Sequence, residues 1–181
     1  MQHWVFGYGS LIWRVDFPHH ERRRADVRGW ARRFWQGSHD HRGTPGAPGR
    51  VVTLVEEADA VCVGAAYRVD EAVFEHLDHR EKNGYERVGV TMRLSATHGA
   101  PRAGDTVNGV TYIASPGNIA FLGPADIDDM VAQIARSRGP SGSNRDYLFQ
   151  LAAALNDLGC QDDHVEALIG RLYRRGAQGP Q

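Results

Sequence analysis

Cysteine and lysine are both scarce in this chain. Cys62 and Cys160 are far apart and neither belongs to a C-x-x-C pair, so neither a disulfide framework nor a zinc ribbon is indicated, and a reducing compartment fits. No stretch approaches the length needed to cross a bilayer, and MQHWVFGYGS at the N-terminus has no basic region followed by an apolar run. A cytoplasmic protein is expected. An excess of one charge is missing too: the formal net charge is -1 and the pI near 6.7, so no whole-protein field favours nucleic acid or a membrane surface. The run Arg22, Arg23, Arg24, Arg28, Arg32, Arg33 is locally basic, but it reads as solvated side chains on a strand and its approach. Internal repeats and low-complexity segments are absent. At 181 residues and 20.0 kDa the chain is long enough to bury a full core, and nothing demands two domains. One domain over residues 1–175 is expected, followed by a flexible tail from Gly176 to Gln181.

What is present is organised around VFGYGSLIW, Val5 to Trp13. Trp4, Val5 and Phe6 read as the end of a buried strand, and Gly7 and Gly9 remove the side chains that would keep another molecule off the backbone. Tyr8 and Ser10 add an aromatic wall and a hydroxyl to a loop whose N–H groups suit a carboxylate or carbonyl oxygen. The same glycines would serve a plain hairpin turn with positive φ. A dinucleotide fingerprint is excluded, because Ile12 stands where the third glycine belongs and Pro18 interrupts the helix that should follow.

Downstream, Asp26 to Ser38 reads as a long strand anchored by Trp30, Phe34 and Trp35. DHRGTPGAPGR, Asp40 to Arg50, holds three glycines and two prolines beyond its first residues and reads as a mobile loop. VVTLV and VCVGAAYRV, Val51 to Val55 and Val61 to Val69, read as paired strands joined by an acidic turn, EEADA. Asp70 caps a short helix through His79 with Val73, Phe74 and Leu77 as its apolar stripe, and Asn83-Gly84 stops it. Val88, Val90, Met92 and Leu94 alternate with polar residues as in a half-buried strand, and Thr106 to Ala114 repeats the pattern. From Pro124 the period lengthens. Ile127, Met130, Val131 and Ile134 share one helical face, Leu148, Leu151, Ala152 and Leu155 a second, and Val165, Leu168, Ile169 and Leu172 a third. Strands first and helices last argue for an α+β domain with an antiparallel or mixed sheet, curled into a small barrel.

Glu81 is the carboxylate that stands out, following a helix, preceding a glycine turn, and flanked by Arg80 and Lys82, the only lysine. A surface glutamate in a charge cluster would look the same. His39 and His41 form an H-x-H pair and His76 and His79 lie one turn apart, but no third ligand follows at a recognised spacing, so no metal is expected. Ser10 in G-Y-G-S-L is not the nucleophile elbow, and Cys62 lies in a buried strand.

Five motifs in order, VFGYGSLIW at 5–13, RRFWQGSHDHRGTPGAPGRVVTLV at 32–55, REKNGY at 80–85, FLGP at 121–124 and GPSGSNRDYL at 139–148, strongly resemble the ChaC family of γ-glutamylcyclotransferases that act on glutathione. The resemblance implies a γ-glutamylcyclotransferase-type barrel surrounded by helices. It implies a substrate loop of Val5, Phe6, Gly7, Tyr8, Gly9, Ser10 and Leu11, Glu81 as catalytic acid and base, and Tyr112 and Tyr147 as further contacts to the glutamyl group. It implies no metal and no cofactor, glutathione as the small-molecule partner, and leaves the oligomeric state open, with a monomer compatible. Arg42 is then available for the glycine carboxylate of the leaving group. Two other readings keep the same loop: a cyclotransferase for other γ-glutamyl amines or dipeptides, and a non-catalytic barrel that senses a γ-glutamyl metabolite and releases no 5-oxoproline.

Overall fold

The computed structural model describes residues 2–80, 84–95 and 105–177. They fall into two compact units, Met1–Ala31 with Leu54–Asn118, and Arg32–Thr53 with Ile119–Gln181. Two long strands, β2 (Glu21–Ser38) and β3 (Gly49–Asp70), pass from one unit into the other.

The first unit is built on a closed five-stranded barrel in the order β1-β3-β2-β4-β5, where β1 is Gln2–Gly7, β4 Glu86–Leu94 and β5 Thr106–Ile113. β1 runs antiparallel to β3, β4 antiparallel to β2 and β5, and one parallel bridge, Val5 to Val110, joins β1 to β5 and closes the ring. The expected mixed barrel is therefore present, and strict alternation on β4 does what it should: Val90, Met92 and Leu94 point inward and are buried, while Thr91 and Arg93 are exposed. Helix α1 (Val73–Arg80) buries Val73, Phe74 and Leu77.

The second unit carries α2 (Ile127–Arg136), α3 (Asn144–Asp157) and α4 (Asp163–Ala177), whose apolar stripes bury Ile134, Leu148, Leu151, Leu155 and Leu168 with Phe34. GPSGSN forms a minimal hairpin, β6 (Arg138–Gly139) against β7 (Gly142–Ser143). Ser143 then caps α3 by accepting the Asp146 N–H.

Four expectations are corrected. EEADA is not a turn, because β3 runs unbroken through it; the segment holds no glycine, proline or asparagine to reverse the chain, and its side chains are simply exposed. β2 starts at Glu21, so the arginines at 22–24 lie in the strand itself. The Asp40 to Arg50 segment is packed at Arg42, Gly43, Gly49 and Arg50, which are buried, and exposed only from Thr44 to Ala47 and at its first two residues. Gly43 and Gly49 permit contact instead of motion, since a Cβ on Gly43 would collide with the Gly49 nitrogen. Finally, α4 takes in Gly176 and Ala177, with which the expected tail begins; residues 178–181 lie outside the described residues.

Candidate active site

The loop after β1 owes its shape to close approach rather than to left-handed backbone. Neither Gly7 nor Gly9 has positive φ. A Cβ on Gly7 would meet the Leu11 Cβ at 2.7 Å, so the chain can fold back into a 3-10 turn over Ser10–Ile12 only without one. Within that turn the Ile12 N–H donates to Gly9 O at 2.9 Å, and the Trp13 and Arg14 N–H groups donate to Ser10 O at 3.2 and 2.7 Å.

Side chains from the barrel hold this loop at several points. The Tyr8 hydroxyl donates to the Tyr112 carbonyl at 2.7 Å, across 104 residues of sequence. The Tyr67 hydroxyl donates to Leu11 O at 2.6 Å, and the Arg22 guanidinium donates from Nε to the Tyr67 hydroxyl and from Nη2 to Ile12 O, each at 3.1 Å. Val5 and Phe6 are core side chains with their backbones in the ladder to β3, and Phe6 O also accepts the Thr111 hydroxyl at 2.9 Å. Their part in the loop is to anchor its start.

Tyr112 joins the loop to α1. While its carbonyl receives Tyr8, its own hydroxyl donates to Asp78 Oδ1 at 2.5 Å, and Asp78 is ion-paired with Arg87, whose guanidinium lies 4.5 Å from the centre of the Phe74 ring. Burial, with the hydrogen bond to Asp78 second, raises the Tyr112 phenol well above its ordinary value, so it remains a donor. The one proton of Tyr112 thus goes to Asp78, leaving its oxygen to accept. Glu81 follows the last residue of α1 by one position and lies, with Lys82 and Asn83, outside the described residues.

Tyr147 belongs to the second unit. It is buried on α3, its ring meets Phe34 edge-on at 5.9 Å, and its hydroxyl accepts the Val52 N–H at 3.4 Å. Arg42 stacks over the same ring at 5.6 Å and donates to Ser143 O and Gln150 Oε1, so its guanidinium serves the packing of this unit rather than standing open to a ligand carboxylate. Beside it, Asn144 is fully buried and acts as a strand partner for Arg50: its Oδ1 accepts the Arg50 N–H at 2.6 Å and its Nδ2 donates to Arg50 O at 2.7 Å.

Among the described residues no group of three His, Cys, Asp or Glu side chains could hold a metal ion. His41 contacts the Ser141 hydroxyl and His76 pairs with Asp16. No described helix is long and apolar enough to cross a membrane. Tyr67, Asp78 and Arg87 carry no sequence signal beyond a lone tyrosine in the small-residue run VGAAYRV, and Arg22, expected only as a solvated member of the arginine run, instead donates to Tyr67 and Ile12.

The closed mixed barrel and its helices share the fold of solved γ-glutamyl cyclotransferases. A crystal structure of the yeast γ-glutamyl cyclotransferase specific to glutathione superposes with a TM-score of 0.86 at 31% identity, covering 96% of both chains. Residues 3–175 match the family model for ChaC-like proteins, and the chain belongs to that family. Among curated relatives, γ-glutamylcyclotransferase 2-3 of Arabidopsis thaliana is 42% identical over 95% of this chain and 89% of its own length. Glutathione-specific γ-glutamylcyclotransferase 1 of Homo sapiens is 39% identical over 92% of this chain and 76% of its own length.

Proposed function

We propose that the protein is a γ-glutamylcyclotransferase that cleaves glutathione to 5-oxoproline and cysteinylglycine, with Glu81 as its acid and base. The observation that carries the reading is the near full-length likeness to cyclotransferases named as specific to glutathione, joined to a glycine loop held rigidly on the barrel rim.

The chemistry fits what such a site can supply. In glutathione the glutamyl α-amine is tethered a few atoms from its own γ-carbonyl carbon. Attack forms a carbon–nitrogen bond in a five-membered ring and breaks the amide bond to cysteine. One proton leaves the ammonium and one reaches the departing nitrogen, so a single carboxylate between the two nitrogens serves both transfers. The nucleophile arrives with the substrate. The protein has to hold the chain bent, an advantage that reaches about 7–11 kcal/mol in well-oriented intramolecular reactions. Amides from Tyr8 to Leu11 hold the glutamyl α-carboxylate, and Glu81 relays the proton.

Incubation of the purified protein with glutathione, γ-glutamyl-alanine and γ-glutamyl-lysine, with products followed by mass spectrometry, tests this. Release of 5-oxoproline from glutathione in clear preference is expected. Equal or better release from the other two overturns the glutathione assignment, and none from any substrate overturns the enzyme itself.

A further inference from the structure

Two side chains beneath the loop do more than fill space. Tyr67 lies on β3 opposite Val5 and is fully buried, its ring plane fixed by the edges of Phe17 and His19 at 5.5 and 5.2 Å. Its single hydroxyl proton goes to Leu11 O, and its oxygen receives Arg22 Nε–H. The same guanidinium donates directly to Ile12 O. One positive charge therefore grips two consecutive carbonyls of the 3-10 turn, one directly and one through a phenol.

A hydrogen bond to a peptide carbonyl draws electron density toward the oxygen and makes the N–H of the same peptide a better donor, and such bonds strengthen one another in chains. The peptide that carries Leu11 O also carries the Ile12 N–H, which donates to Gly9 O at 2.9 Å, and the peptide of Gly9 O carries the Ser10 N–H. The peptide that carries Ile12 O also carries the Trp13 N–H, which donates to Ser10 O at 3.2 Å, where the Arg14 N–H joins it; that peptide carries the Leu11 N–H. Both chains begin at Arg22, and they end on the Ser10 and Leu11 amides.

We propose that Arg22 and Tyr67 are positioning residues for the γ-glutamyl substrate, fixing the 3-10 turn and strengthening the Ser10 and Leu11 amides as donors to the glutamyl α-carboxylate. This rests on the loop being the substrate loop of the proposed cyclotransferase. Tyr67, having no exposed surface, acts only through the backbone it holds. Burial raises its phenol above the ordinary value, so it stays the donor at neutral pH.

The test measures kcat and KM for glutathione, and the competitive Ki of a glutathione analogue whose glutamyl α-carboxylate is an uncharged carboxamide, in the wild type, Tyr67→Phe, Arg22→Met and Gly9→Val. Removing a charge-assisted link is expected to raise KM for glutathione about tenfold in Tyr67→Phe and Arg22→Met, with kcat within about twofold. The carboxamide Ki is expected to move by less than about twofold, because the charge the donors serve is gone. A merely structural role would weaken both ligands alike, and that result overturns the proposal, as does an unchanged KM for glutathione. If Tyr67→Phe folds poorly, Arg22→Met, at an exposed position, decides alone. Gly9→Val separates the levels: a raised KM there with none in the other two sinks this inference and spares the loop, whereas an unchanged KM in all three sinks both.

Discussion

Acid should weaken this protein through one half-buried histidine. His164, on α4, accepts the Phe34 N–H on its Nε2 at 3.1 Å with its ring tilted over the Phe34 ring. An acceptor nitrogen cannot carry a proton, so the folded state requires the neutral ring. Burial first, and then the charges of Arg33, Arg32 and Arg50 against the opposing pull of Asp162, hold its pKa down from 6.5 to about 4. In the unfolded chain the same imidazole takes its proton near 6.5. Between those values the unfolded state binds a proton that the folded state refuses. The sign follows: stability from this group is whole above pH 6.5, declines as the pH falls, and is fully lost near pH 4.

At about 1.36 kcal/mol per pH unit the gap between 6.5 and about 4 amounts to about 3 kcal/mol. Against a typical total of about 5–15 kcal/mol this is large enough to measure. Urea unfolding followed by fluorescence of the four tryptophans, from pH 7.5 to pH 4, compares the wild type with His164→Gln. The glutamine oxygen can accept the Phe34 N–H and has no proton to gain. The wild type is expected to lose about 3 kcal/mol more than the variant over that range. Parallel curves would refute the reasoning, and so would a His164 imidazole that titrates near 6.5 in the folded protein by NMR.

Three further outcomes are expected. Glu81→Gln, nearly isosteric but unable to take the proton, should fold as the wild type does by circular dichroism and lose about 10²- to 10⁴-fold in turnover; near-normal 5-oxoproline release would remove Glu81 from the mechanism. Asn144→Ala leaves the Arg50 N–H and C=O without their partners and should cost about 2–4 kcal/mol in urea denaturation, while a cost under about 0.5 kcal/mol would show that those groups find others. Chelation with EDTA should leave 5-oxoproline release unchanged, and a loss restored by added metal would contradict a purely carboxylate-based mechanism.

The parts of the fold that could be read from sequence are those where a single element buries one face of itself. The stripe Val73, Phe74, Leu77 and the alternation Val90, Met92, Leu94 each announce a period, and each is buried as expected. β3 could not be read as one strand because its middle, EEADA, is exposed and carries no alternation, so polarity resembled a turn. The Asp40 to Arg50 segment misled for the opposite reason. Glycines that confer freedom in isolation are also those that let backbones touch, and only the tertiary partners of Gly43 decide between the two. The loop motif was legible, whereas the residues holding it were not. Tyr8 meets Tyr112 across 104 residues and Tyr67 meets Leu11 across 56, separations at which no local pattern signals a contact.

That division follows from the proposed reaction. When the nucleophile is part of the substrate, the protein's larger task is geometric: bending the chain is worth up to about 7–11 kcal/mol, against a factor of about 10² to 10⁴ for the proton relay. A loop that drifts loses part of the larger quantity. The loop is held accordingly, by Tyr8 on the Tyr112 carbonyl, by Tyr67 on Leu11 and by Arg22 on Ile12, and at Gly7 it packs too closely on Leu11 to admit a side chain. Tyr112 adds a second connection, since its hydroxyl reaches Asp78 two residues before the end of α1, the helix that Glu81 follows in sequence. The proposed substrate loop and the helix leading to the proposed acid and base are therefore both hydrogen-bonded to the same residue of β5.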